Sequence, residues 1–351
     1  MTNSYITSGL FGGLLSDPIV AGEFEAPAFT ARMLAFEAAW TEALGSCGVV
    51  SADDAKSALA AINAFVSANL GQGSDRDGLP VPTLVSALKA RLDEGAVRAL
   101  HTGATSQDVI DTAMVLTCLS VLDQLTDRLK RVVAALEAML VRFGDAPLTA
   151  RTRMQTALPA TVALRVDAWR RPLSEHLARA ADVRTALAVV QIGGPIGSRD
   201  VPQAYVADCA CKVAETLGLA LSPVWHADRS RFINFGHWLT LVSGSLGKVG
   251  QDVALMVQQG VDEITLSGGG GSSAMAHKQN PVGAEMMVAL ARYVAGQQGI
   301  LGQAMIHEQE RSGAAWALEW LTLPAMAVAT GAALNHAETL VASIERIGAP
   351  D

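Results

Sequence analysis

Residues 111–143 read DTAMVLTCLSVLDQLTDRLKRVVAALEAMLVRF. Leu119, Leu122, Leu125, Leu129, Val133, Leu136, Leu140 and Phe143 recur at steps of three or four. That spacing keeps one apolar stripe along a very long helix. Four more segments carry the same kind of pattern: 160–190, where Pro172 is expected to introduce a kink, then 228–264, 282–309 and 314–347. Each far exceeds the average helix of about 11–12 residues. Short loops rich in Gly, Pro and Ser part the five. No useful run of alternating apolar and polar residues occurs, so the expected fold class is all-α, a bundle of long helices. Upstream, 28–46, 52–69 and 84–92 read as helices, and Gly71–Pro82 (GQGSDRDGLPVP) reads as a loop. The expected organisation is a small helical N-terminal domain over 1–103 and a central long-helix domain over 104–351.

Half of the 351 residues are hydrophobic and only 17% are charged, with a mean hydropathy of +0.29. Disorder is excluded. A lone five-helix bundle would leave much of this apolar surface uncovered, so several copies are expected to associate. The net charge of −8 and the absence of any Lys/Arg block argue against nucleic-acid binding. The first basic residue is Arg32, so the start lacks the charged region of a signal peptide. No uninterrupted apolar run reaches the ~18 residues of a membrane span. A cytoplasmic protein with no membrane partner is expected. Cys47, Cys118, Cys209 and Cys211 do not make a disulfide framework and read as free thiols.

Three interhelix loops are dense in hydroxyl, amide and cationic groups: His101–Asp108 (HTGATSQD), Arg151–Pro159 (RTRMQTALP) and Gly268–Pro281 (GGGGSSAMAHKQNP). The third can close over a ligand and present backbone N–H groups, a Ser hydroxyl and an ammonium together. Its four glycines also suit a flexible linker. The phosphate-loop spacing G-x-x-x-x-G-K-[ST] is absent, as are a G-x-S-x-G elbow and an H-E-x-x-H pair. No metal site is expected.

Gly271–Pro281 resembles the G-S-S-x-M-P-x-K-x-N-P loop of the fumarase/aspartase superfamily, and the first two loops resemble its other two characteristic regions, in the right order. The resemblance implies a homotetramer in which five long helices from each subunit build a core of about twenty, with each site assembled from three chains. The small C-terminal helical domain of longer members is expected to be missing. Within the superfamily, His101–Ala113, Trp225–Arg229, Ser243–Leu255 and Glu308–Pro324 resemble the branch that closes 3-carboxy-cis,cis-muconate to a lactone. Departures are Ala276 in place of the loop's Pro, Arg153 where many members carry a catalytic His, and Ser230 where an Asp often follows Arg229.

The implied substrate is a small tricarboxylate, and no cofactor is implied. By the same resemblance Ser272 is the proton carrier, assisted by Lys278 and the Gly-rich backbone. Lys278 and Asn280 would hold a carboxylate, and Thr105, Ser106, Thr152 and Gln155 offer neutral donors to the others. Arg153 would pair bidentately with the third, with Arg311 as a further binding candidate. His101 reads as acid, carboxylate ligand or helix cap. Because −8 repels a trianion, Lys278, Arg153 and His101 are expected to reverse the field locally. The alternatives are another superfamily lyase, such as adenylosuccinate or argininosuccinate lyase, and a non-catalytic crystallin-like scaffold.

Overall fold

The structure is a computed structural model that describes residues 9–66, 70–199, 205–271, 275 and 278–350. Short helices come first: α1 (Gly12–Leu15), α2 (Pro18–Glu23), α3 (Ala26–Ser46), α4 (Ala52–Asn63), α5 (Leu70–Asp77), α6 (Val81–Lys89) and α7 (Glu94–Val97). Their starts follow local chemistry. Asp17, Ser51 and Asp93 accept hydrogen bonds from the exposed N–H groups of α2, α4 and α7, and Pro18 takes the first position of α2. Then come α8 (Ser106–Phe143), α9 (Val162–Leu187), the shorter α10 (Tyr205–Leu217), α11 (Ser230–Met256), α12 (Val282–Gln303) and α13 (Ala314–Ala342).

The five long helices alternate in direction. Arg231 at the start of α11 donates to the Ala186 carbonyl at the end of α9, while Trp169 near the start of α9 donates to Asp252 near the end of α11. α11 and α12 are likewise antiparallel, since Gly236 faces Leu301 and Gly250 faces Ala284. α8 and α13 run parallel, with Trp316 bonded to Asp111 and Arg131 paired with Glu338. Residues 107–115 of α8 and 326–334 of α13 are buried without a break. Nine consecutive buried positions pass more than twice around a helix, so neighbours surround both segments on all sides.

Close approach of α11 to α12 depends on glycine. A Cβ on Gly250 would lie 2.5 Å from the Ala284 carbonyl oxygen, and one on Gly247 would lie 2.6 Å from Ala291 Cβ. Gly250→Ala is therefore expected to lower the unfolding free energy by about 1–3 kcal/mol, the usual cost of overpacking. A denaturant midpoint equal to that of the parent chain would contradict this.

The structure corrects several boundaries. Among the described residues there are three small antiparallel strand pairs: β1 (Pro147–Thr152) with β2 (Gln155–Thr161), β3 (Ile264–Leu266) with β6 (Ile344–Ile347), and β4 (Gly270–Gly271) with β5 (Gln279–Asn280). The helical patterns of 228–264 and 314–347 thus end early, because their last residues pair with each other as strands. The 282–309 pattern ends at Gln303. α8 starts at Ser106, five residues before the periodic stripe suggests. Part of the Gly71–Pro82 loop is helix α5, which packs so tightly on α6 that a Cβ at Gly73 would overlap Thr83 Oγ1. Among the described residues two helices, Ser106–Phe143 and Ala314–Ala342, are long and apolar enough to cross a membrane by length and composition. In this fold 72% of each apolar window is buried against protein. The four cysteines carry no disulfide; Cys209 is buried and Cys211 is exposed.

Candidate active site

One end of the bundle gathers the first loop, the segment 191–199 and the turn between α12 and α13. Thr105 is the N-cap of α8, and its N–H donates to Asp108 at 3.0 Å. His101 is therefore not the cap. It sits at φ 62°, in the left-handed region, and its Nδ1 lies 2.6 Å from Oε1 of the fully buried Glu37. Burial works against a charged imidazole, but the Glu37 carboxylate, with Asp108 behind it, outweighs burial and holds the His101 pKa above its ordinary value. The pair's stabilising contribution is thus complete below the unfolded pKa of about 6.5 and is lost as pH rises through the raised folded value. Glu37→Gln should move the His101 titration to lower pH. An imidazole NMR titration unchanged from that of the parent would remove Glu37 as the cause.

Asp108 holds this end together. It accepts from Thr105 N, Gly193 N at 2.7 Å, Gly194 N at 3.1 Å and His226 Nε2 at 2.8 Å. No side chain fits at Gly193, where a Cβ would lie 2.6 Å from His226 Cε1. One turn deeper, Arg229 forks onto two carboxylates: Asp111 at 2.7 and 2.8 Å, and Glu319 at 2.7 Å through both oxygens. One cation faces two anions, and the anion with fewer donors loses. Asp111 also accepts from Gln107, Gln191 and Trp316, and although burial opposes its charge, Arg229, helped by His226 and Gln191, holds it below the usual carboxylate range. Burial, aided by repulsion from Asp111, outweighs Arg229 at Glu319 and pushes its pKa up to about 7. Arg229 thus pairs across the bundle, and the substitution at Ser230 costs it no partner; Ser230 N–H donates to Asp228 instead.

Above this network Arg311 Nη1 donates to Thr105 Oγ1. Pro195, Ile196, Gln309, Glu310 and Arg311 line a cavity of about 470 Å³. Four of the expected site residues therefore share one end: His101, Thr105, Ser106 (the first residue of α8) and Arg311.

The other described ones, Thr152, Arg153, Gln155, Lys278 and Asn280, lie at the opposite end. Thr152 and Gln155 face each other across the hairpin β1–β2, and Arg153 and Met154 form its tip at φ 48° and 68°. Two successive left-handed residues suit the right-handed twist of a two-residue turn, yet they are normally Asn or Gly. The Arg151–Glu263 ion pair and the Ala349 N–H to Pro147 carbonyl bond tie this hairpin to the β3–β6 pair. Lys278 and Asn280 follow on the stem of the third loop, where Gly270 and Gly271, two of the four glycines that suited a linker, pair as β4 with β5. Ser272 lies outside the described residues. α8, 38 residues long, separates the two ends by about 57 Å at ~1.5 Å per residue. Within one chain, His101 therefore does not join Lys278 and Arg153 in a single positive cluster.

Sequence reasoning missed Glu37, Asp108, Asp111 and the role of the 191–199 segment. The signal available was the glycine density of QIGGPIGS at 191–198. Carboxylates on α3 and α8 gave none, because only packing brings them beneath the loops.

Comparison with known proteins agrees with this architecture. The family described as Lyase matches residues 18–296. The 3-carboxy-cis,cis-muconate cycloisomerase of Pseudomonas aeruginosa is 36% identical over 89% of this chain and 70% of its own length. That of Pseudomonas putida is 34% identical over 97% of this chain and 83% of its own. The crystal structure of the 3-carboxy-cis,cis-muconate lactonizing enzyme from Pseudomonas putida superimposes with a TM-score of 0.88 at 33% identity, covering 96% of this chain and 77% of that one.

Proposed function

Because this chain belongs to the lyase family and has the fumarase-like long-helix fold, we propose that it closes 3-carboxy-cis,cis-muconate to 4-carboxymuconolactone. The observation that carries this is the run of relatives at 29–36% identity that bear the cycloisomerase name, each matched over 89% or more of this chain. In the reaction one carboxylate oxygen of the diene bonds to an alkene carbon of the same molecule. The displaced π electrons form an enolate-like carboxylate, and a proton reaches the carbon next to it. Ring closure is unimolecular, so folding the diene removes much of its barrier. What remains is to stabilise the developing charge and deliver one proton.

Roles follow from side-chain chemistry and, for the described residues, from position. Ser272 carries the proton. Lys278 and Asn280 hold the carboxylate beside it, and Thr152, Arg153 and Gln155 present cationic and neutral donors on a rigid hairpin. Thr105, Ser106 and Arg311 bind at the other end, with His101 charged by Glu37. The turn at Arg153 and Met154 supports a binding role, since a guanidinium stands at a left-handed tip where Asn or Gly would be easier. The decisive assay follows the absorbance of purified enzyme on 3-carboxy-cis,cis-muconate beside adenylosuccinate and argininosuccinate. Turnover of a succinyl substrate alone would replace this reading with a lyase.

A homotetramer with shared sites belongs to the same proposal, as does a cytoplasmic location. It is supported by the ~57 Å between the two residue sets and by exposed apolar side chains at Met154, Leu158, Ile300 and Leu321. Co-expression of inactive Ser272→Ala with inactive Thr105→Val/Ser106→Ala should restore part of the activity. No rescue, in hybrids shown by native mass spectrometry to contain both chains, would place the site within one subunit.

A further inference from the structure

His307 lies in the turn between α12 and α13. Both of its ring nitrogens are buried, and neither has a hydrogen-bond partner. No other histidine among the described residues has both nitrogens buried and unpartnered. Leaving a donor and an acceptor desolvated is a cost that folded proteins rarely retain without a use. The position is informative. Two residues on, Gln309, Glu310 and Arg311 line the cavity opposite Pro195 and Ile196, and Arg311 reaches Thr105. Gln309 is held at φ 49°, a left-handed residue between the imidazole and the guanidinium.

We infer that His307 is a carboxylate-binding residue of this end of the site, working beside Arg311. The inference rests on the proposed polycarboxylate chemistry and adds to it a ligand that no motif identified. Burial, and then the Arg229 charge, lower the His307 pKa, with Asp111 and Glu308 opposing them only in part. The ring is therefore neutral at neutral pH and offers one N–H and one lone pair. Once the ring turns towards the cavity that Arg311 lines, a carboxylate oxygen satisfies the N–H, and Arg311, four residues on in the same turn, supplies the charge. A cation is a poor occupant so close to Arg229 and Arg311.

The test uses the full-length protein. His307→Ala should raise KM for 3-carboxy-cis,cis-muconate by about tenfold to a hundredfold, as for losing one hydrogen bond to a charged group, with kcat little changed. His307→Gln, which keeps an N–H, should recover most of the loss. The Ala variant should melt at or above the parent temperature, because it removes two unpartnered polar atoms. Independently of turnover, propane-1,2,3-tricarboxylate added to protein with ¹⁵N-labelled histidine should shift the His307 ring signals. Unmoved signals, or an unchanged KM in the Ala variant, would overturn the inference. Should the parent enzyme fail to cyclise carboxymuconate, the proposed function falls, and the titration alone still decides whether His307 binds carboxylates.

Discussion

Ser272→Ala is expected to leave fold and assembly intact while slowing turnover by roughly 10²–10⁴, the range for losing a positioned proton carrier. A serine hydroxyl is a weak base, so its use requires nearby positive charge and backbone donors that stabilise the alkoxide-like form. Lys278, six residues on, and the glycines before it can provide both. Ser273→Ala should cost less, since it removes a hydroxyl without removing the one to which the proposed mechanism gives the proton. The comparison is steady-state kcat on 3-carboxy-cis,cis-muconate for both variants, with native mass spectrometry as the control for assembly. Near-full activity in Ser272→Ala would assign the proton to another group.

The second large effect is on stability. Arg229 is fully buried and is the cation shared by Asp111 and Glu319. Arg229→Met fills similar volume but leaves two carboxylates buried without it, a change that typically costs about 3–5 kcal/mol. Against a total stability of about 5–15 kcal/mol, that loss decides whether the chain folds at physiological temperature. The triple variant Arg229→Met/Asp111→Asn/Glu319→Gln should lose less than Arg229→Met alone, because no charge is stranded. Chemical denaturation of both variants tests this, and a single variant as stable as the parent would mean that the network contributes nothing.

Glu319 adds a pH signature. Its folded pKa of about 7 lies above the ordinary 4.5, so the folded chain binds the extra proton. Its contribution is complete below 4.5 and is lost as pH rises through 7. Glu319→Gln should flatten that slope.

The long-helix architecture was legible in the sequence because one physical rule governs it. A stripe such as Leu119 to Phe143 must be buried, and a period near 3.6 allows only a helix to do so. The reading erred where backbone pairing competes with periodicity. Ile344–Ile347 continues the apolar pattern of α13, yet its N–H groups bond to β3, a partner about eighty residues away in sequence. The three polar loops were likewise visible, since clustered hydroxyl, amide and cationic groups between apolar helices have no role in a core.

What the sequence by itself determined is thus the helix class, the five long segments and the polar loops between them: local composition and period encode them. Only the tertiary structure decided which residues stand together. It placed Glu37 under His101, Asp108 at the crossing of the first loop with Gly193 and Gly194, and Arg229 between Asp111 and Glu319. It also set Thr105 and Arg153 at opposite ends of one 38-residue helix. The physical reason is that ion pairs and buried hydrogen bonds depend on distances of about 3 Å between atoms far apart in the chain. Those distances are fixed by how helices cross and how closely glycines let them approach.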